Sequence, residues 1–394
     1  MKKKLFKEWA RPVFLAMTLV IGVLLVLSPV SCRLTEEGLE IIPADTTAPS
    51  VESFDVVGSK SISIACSEKI VLDKISVFEL EAGNEDEEIP LVLDEENAFA
   101  VADSITYSED GKSCEISLTV PTNVGKSYIF SGTVYDITGN SLEFAQKFYG
   151  YNENPARLLF NEIRTTYKKD KEAVEFIEFY CLKSGNTYGL EVVSAANTES
   201  KKYVFPSIEV KQGEFITLHG KIFEGMEDTA LDETGDDLTL SRANESCDTA
   251  RDLWKSGTDK IASNTDVVVV RDCVSKEIKD AVLLSLSGKT EWTKALMTEF
   301  AESAFAKGIW KDGSSPVNAV CTDGMSSSIL RSISRQNTAE IIEKYKDSST
   351  LPEFIKTSAN DWFVTNSYKD SDTKETISGA TPGYENSNVP LNGE

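Results

Sequence analysis

Histidine is nearly absent from this chain: one residue, His219, in 394. That scarcity excludes most nucleophilic catalysis built on a neutral-pH base, because a Ser-His-Asp or Cys-His arrangement could draw on this residue alone. It also excludes an H-E-x-x-H metal helix, and neither a G-x-S-x-G turn nor a Gly-rich phosphate loop occurs. Cysteine is sparse and unpaired in sequence. None of the seven (Cys32, Cys66, Cys114, Cys181, Cys247, Cys273, Cys321) stands in a C-x-x-C, so zinc-ribbon and thioredoxin chemistry drop out. Positive charge is short as well: 40 Lys and Arg face 64 Asp and Glu, a net charge of −24. Such a surface repels phosphate backbones, which makes nucleic acid a poor partner. His219, in FITLHGK, reads as a strand-end residue with no catalytic task.

What is present begins at the N-terminus. Lys2, Lys3, Lys4, Lys7 and Arg11 form a basic head, followed by the apolar run 13–27 (VFLAMTLVIGVLLVL) and then Ser28, Pro29, Val30, Ser31 and Cys32. A positive n-region, an apolar h-region and a small-residue site form the layout of an export signal. The positive head stays in the cytoplasm, so residues after it are translocated. Two other readings place those residues on the same side: an uncleaved membrane helix, since 13–30 approaches the roughly 20 apolar residues of a span, and a plain secreted protein. Without residues 1–31 the net charge falls to about −28, and six cysteines remain beside Cys32, an even number in a compartment that permits disulfides.

The Cys directly after a small residue resembles the lipobox of bacterial lipoproteins, with Pro29 where that family usually carries Leu. The resemblance implies cleavage after residue 31 and a lipid thioether on Cys32, a membrane anchor requiring no other cofactor. Two or more acyl chains hold firmly at about 0.8 kcal/mol per buried methylene. The expected location is outside the cytoplasm, lipid-anchored to a bacterial membrane, at the outer membrane or cell surface. Residues 32–47 read as a polar tether.

From residue 48 the pattern is that of short strands. SISIAC at 61–66 places Ile62, Ile64 and Cys66 on one face, and SCEISLTV at 113–120 does the same with Cys114, Ile116, Leu118 and Val120. Period-two alternation marks half-buried antiparallel strands; further candidates are 75–80, 128–135 and 142–148. About seven short strands in about 100 residues predict a β-sandwich. The opening DTTAP (45–49), the segment SISIACSEKI and the turn TVYDITGN (133–140) resemble bacterial Ig-like domains over 48–150, which implies a spacer or presentation module. Cys66 and Cys114 both fall on inward faces. They form a candidate disulfide, with two buried free thiols as the alternative.

A second series starts after residue 154: strands are expected at 157–164, 173–182, 188–195, 203–205, 214–219, 267–270, 281–286, 329–334 and 361–364. LLFNEI, EFIEFYCLKSGNTYGLEV, GEFITLHG, DAVLLSLSG, SILRSISR, NDWF and ATPGYEN, in that order, resemble the lamin-tail domain, itself an Ig-like sandwich. The resemblance spans 151–388 with insertions at about 221–264 and 289–312, and implies structural positions for Glu175 and Glu178. The fold class is therefore mainly β: two Ig-like antiparallel sandwiches in tandem, the second with one or two inserted helices. The first insertion is acidic, and Asp232, Glu233, Asp236 and Asp237 are a candidate Ca²⁺ cluster whose spacing is not that of an EF-hand, with a solvated acidic loop as the alternative. The second predicts a helix over 290–307 with Trp292, Leu296, Phe300 and Ala304 on one stripe and Gly308 as its stop. A short helix is expected at 339–347, where Asn337 and Glu340 have capping-box spacing.

Three function classes remain: a non-catalytic surface lipoprotein whose modules bind a protein or glycan in adhesion or scaffolding, an envelope structural protein, and a hydrolase with an unrecognised carboxylate site.

Overall fold

The computed structural model describes residues 30–35, 38–43, 45–80, 95–257 and 259–391. The basic head and apolar run of the export signal lie outside these residues. Cys32 is described through its backbone alone, in a hairpin of β1 (Val30–Thr35) and β2 (Gly38–Pro43) where Cys32 faces Ile41. That hairpin occupies most of the stretch expected to be a tether. Among the described residues no helix is long and apolar enough to cross a membrane. The chain is mainly β and divides into two compact units, Met1–Thr122 with Lys126–Phe148, and Asn123–Gly125 with Tyr149–Glu394.

In the first unit the strands are β3 (Val51–Gly58), β4 (Ser61–Cys66), β5 (Ile70–Glu79), β6 (Ala100–Tyr107), β7 (Ser113–Leu118), β8 (Ser127–Asp136) and β9 (Ser141–Tyr149). They pair in the order β3-β4-β7-β6-β5-β8-β9. β5 and β6 share only the pairs Ser76–Val101 and Val77–Ala100, so the sheet turns a corner there and its two halves face each other. The alternation read from sequence makes the core. Ile62, Ile64, Ile116 and Leu118 from one half meet Val77, Phe130 and Val134 from the other, each side chain worth about 1.5–3 kcal/mol when fully buried. Phe54 bridges the halves, its ring 5.3 Å from Phe130 and 5.7 Å from Phe148. β5 runs longer than expected because it bends without ending: Lys74 takes φ 52° and the register slips between Asp73 and Ser76, the mark of a bulge.

Cys66 and Cys114 are buried free cysteines. Ile64, not Cys66, stands opposite Cys114, so the thiols are diagonal neighbours and the candidate disulfide is corrected to two adjacent thiols. Burial raises both, and Cys66 adds to the rise of Cys114, pushed up to about 11.

The second unit packs two sheets. Its strands are β10 (Arg157–Arg164), β11 (Phe176–Lys183), β12 (Gly185–Asn186), β13 (Leu190–Ser194), β14 (Tyr203–Val204), β15 (Glu209–Val210), β16 (Phe215–His219), β17 (Ala250–Trp254), β18 (Asp266–Asp272), β19 (Ile278–Ser285), β20 (Val320–Cys321), β21 (Ile333–Arg335) and β22 (Trp362–Val364). One sheet has the order β17-β16-β11-β10-β21-β22 and the other β14-β13-β18-β19-β20. The four valines 267–270 are all buried, as expected of a strand covered on both faces. Most pairings are antiparallel; β16–β17 and β19–β20 are parallel.

The inserted helix α1 is Ala295–Ala306, shorter than the expected 290–307. Its buried face is Met297, Phe300, Ala301 and Ala304, with Trp292 and Leu296 only packed alongside, so the stripe is rotated from the one predicted. Gly308, at φ 73°, does stop it, letting Ile309 N–H bond Ala304 C=O at 2.9 Å. Helix α2 is Thr338–Lys344, and the expected capping box is not formed: Asn337 makes no side-chain cap.

Candidate functional site

Two buried glutamates of the second unit, Glu162 and Glu178, meet in a solvent-excluded hub with the C-terminal segment 379–386. β10 and β11 are in register at Phe160–Phe179 and again at Glu162–Glu178, which leaves Asn161 as the extra residue of a bulge. An extra residue re-aims side chains, and here Asn161 and Glu162 both reach the segment that contains ATPGYEN. Thr381 N–H donates to both Glu162 carboxylate oxygens at 3.1 Å, and Gly383 N–H donates to Glu178. Asn386 donates to Asn161 Oδ1 at 2.9 Å and to Arg335 C=O at 2.7 Å, while Asn161 donates to Glu178 at 2.6 Å. Ser332 and Ser334 hydroxyls complete the shell of Glu162.

Two buried glutamates directly opposite each other cannot both ionise cheaply. Burial pushes Glu162 up to about 7 against the hydrogen bonds that oppose it; burial and then the Glu162 charge push Glu178 well above its ordinary range. Both side chains are fully buried. The hub is thus a clasp that holds the C-terminal segment on the sheet. Glu175 points elsewhere, into an ion pair with Lys221 at 2.9 Å, and that ammonium also stands 3.7 Å over the Tyr167 ring.

His219 has no exposure. Its Nε2 lies 2.7 Å from Asp252 Oδ1, and its ring stacks on Trp254 at 3.9 Å. Asp252 also accepts Cys247 N–H at 2.9 Å. The histidine therefore ties β16 to β17, sealed from solvent.

The four acidic residues expected to hold Ca²⁺ do not converge, which corrects that expectation. Asp232 accepts Trp254 N–H at 2.6 Å, and Glu233 accepts Asp252 N–H at 2.8 Å and Ser241 N–H at 3.1 Å. Asp236 is exposed, 3.8 Å from Lys211, and Asp237 caps Thr239. Backbone amides deprived of a neighbouring strand claim the carboxylates instead.

Sequence reasoning missed the one place among the described residues where acidic ligand atoms do gather, Asp45, Glu68 and Asp136, within 4.8 Å of one another. Asn140 clasps this group, donating to Asp45 C=O at 3.0 Å, Thr47 C=O at 3.1 Å and Asp136 at 2.7 Å. Desolvation raises Asp136, but the bonds from Asn140 and Thr138 outweigh it and hold the carboxyl at about 2. DTTAP at 45–49 and DITGN at 136–140 thus meet through Asn140. Neither motif is informative alone, and only their joint presence in the sequence could have signalled the meeting.

Parts of the chain are similar to known proteins. It is 28% identical over 162 residues to an uncharacterized protein of Treponema pallidum (strain Nichols), a match covering 41% of this chain and 40% of that relative. The alignment thus spans well under two thirds of the relative's length. Among solved structures, the N-terminal part of the bacterial S-layer protein SbsC aligns at 15% identity with a TM-score of 0.22, covering 61% of this chain and 44% of that one. The surface layer protein SbsC, domains 1–6, aligns at 12% identity with the same TM-score, over 61% and 41%. Superpositions this loose establish no common fold. A family model described as TP_1001_2nd, protein second domain, matches residues 156–364, almost all of the second unit's sheets. Since that match spans more than half of the sequence, the chain belongs to the TP_1001_2nd protein second-domain family.

Proposed function

We propose that this is a non-catalytic lipoprotein of the bacterial envelope, tethered through Cys32 outside the cytoplasm, whose two β units present surface to a protein or glycan partner. The N-terminal order of basic head, apolar run, small residues and Cys32 carries the reading. The motifs behind the two family resemblances support it further. DTTAP meets DITGN through Asn140, and LLFNEI and EFIE meet ATPGYEN through Glu162, Glu178 and Asn161. In each case residues with chemical potential are used to hold segments in place. The histidine is spent on Asp252 and Trp254, away from solvent.

The test is mass spectrometry of the N-terminal peptide of protein expressed in a bacterial host. The expected result is a peptide that begins at an acylated Cys32, and a Cys32→Ala variant that leaves the membrane fraction or stays unprocessed. An intact Met1 or Lys2 start on wild-type protein would sink the proposal.

A further inference from the structure

We infer that the second unit carries a binding pocket for an amphiphilic carboxylate, an apolar chain ending in a carboxylate group, clamped by Arg157 and Lys183. This pocket does not depend on the anchor. A cavity of about 510 Å³ opens beside the start of β10 and the end of β11, with Leu158, Leu190, Val270 and Leu351 among its lining. That volume falls within the usual range for small-molecule sites, which are mostly apolar with a few placed polar groups.

The polar groups here are cations in an unusual position. Arg157 and Lys183 are directly opposite each other across β10 and β11, and both line the cavity. Like charges set opposite across a strand pair repel, so the pairing costs stability unless something negative sits between them. Among the described residues neither side chain has an ion-pair partner or donates a side-chain hydrogen bond. The carboxylates that influence Arg157 are Asp280, Glu277 and Glu353. Asp280 already accepts Phe160 and Ala281 amides, and Glu277 is held between Lys279 and Lys307. Glu353 also lines the cavity but is exposed to solvent. Arg157 instead lies over the Phe354 ring at 5.9 Å, which leaves its fork of N–H donors unmatched. A third cation, Lys279, lines the same cavity, in a chain where acidic residues outnumber basic ones 64 to 40. A planar carboxylate fits a guanidinium in bidentate fashion, with Lys183 as the second charge and the apolar wall for the chain.

The experiment is titration calorimetry of the export-processed chain with decanoate below its micelle concentration, alongside acetate, which lacks the chain, and decanol, which lacks the charge. Decanoate is expected to bind, and acetate and decanol to bind at least roughly tenfold more weakly, since losing either the charge pair or the apolar contact removes about 1.4 kcal/mol or more. Arg157→Gln with Lys183→Gln should abolish decanoate binding while the far-UV spectrum and melting temperature stay close to wild type. The milder Lys183→Gln alone, at a half-buried residue with no ion-pair partner among the described residues, should weaken it several-fold and reduce its dependence on salt. Absence of decanoate binding, equal binding of acetate or decanol, or full binding by a folded double variant would each overturn the inference.

Discussion

At the scale of the residue, the second unit keeps carboxylic acids where charge is expensive. Glu162 is raised to about 7 and Asp266 to about 6, in each case chiefly by burial, and Glu178 is raised too. Their ordinary values are 4.5 for the glutamates and 3.8 for the aspartate. Between the ordinary and the raised values the folded state binds more protons than the unfolded one, so stability falls as pH rises through that window. The penalty is absent below the ordinary values and complete above the raised ones. Thermal melts should therefore show a more stable second unit at about pH 5.5 than at about pH 8, with Glu162 alone contributing on the order of 2 kcal/mol. Glu162→Gln, which cannot ionise, should flatten that difference. A melting temperature that rises from the lower to the higher pH would contradict the upward shift of these buried carboxyls.

Among the elements, α1 is the clearest case of a helix held by the chain beyond its C-terminus. Its exit at Gly308 turns the backbone so that Trp310 drops into the core with no exposure, its indole N–H donating to Asn318 C=O at 2.9 Å. Trp310→Ala should cost about 3–5 kcal/mol through the cavity it leaves, read as a lower denaturant midpoint with an unchanged slope. Val317, close in sequence but 65% exposed, should tolerate Ala with a change within about 0.5 kcal/mol.

The elements also show where periodicity speaks and where it falls silent. β4 and β7 announce themselves because one face is core and the other is not, and the alternation at Ile62, Ile64, Ile116 and Leu118 survives intact in the burial pattern. β3 and β6 are at least as long, yet they carry no such signal. β3 sits at the sheet edge, and along both strands most side chains stay at least partly in water, so Phe54 and Val56 on β3 and Ala102 and Ile105 on β6 pack against the core without a clean alternation. β17 is hidden for the opposite reason. All five of its residues are buried, yet Arg251 and Asp252 are among them, made tolerable by Glu214 and His219. The rotated face of α1 comes from its late start at Ala295, which leaves Trp292 outside the helix.

Across the whole molecule, the divide is between what neighbours in sequence determine and what only the assembled sheets bring together. The mainly β architecture is readable from local alternation and turn chemistry. The clasps are visible only as separate motifs, because Asn140 meets Asp45, and Asn386 meets Asn161, across most of a unit. The facing of Arg157 and Lys183 depends on strand register, which no local pattern encodes. The acidic loop misleads for a similar reason: clustered carboxylates suggest a cation until the unpaired amides nearby are known. Those amides belong to β17, the outermost strand of its sheet. Asp232 and Glu233 accept the N–H groups of Trp254 and Asp252, two residues apart on the same rim, and so stand where another chain could otherwise add itself. Open strand rims of this kind template aggregation unless something blunts them. The loop is then a guard against self-association through that rim. Replacing Asp232 and Glu233 together by Ala should leave the protein folded at low concentration but bring concentration-dependent oligomers in sedimentation velocity, where the wild-type distribution stays constant.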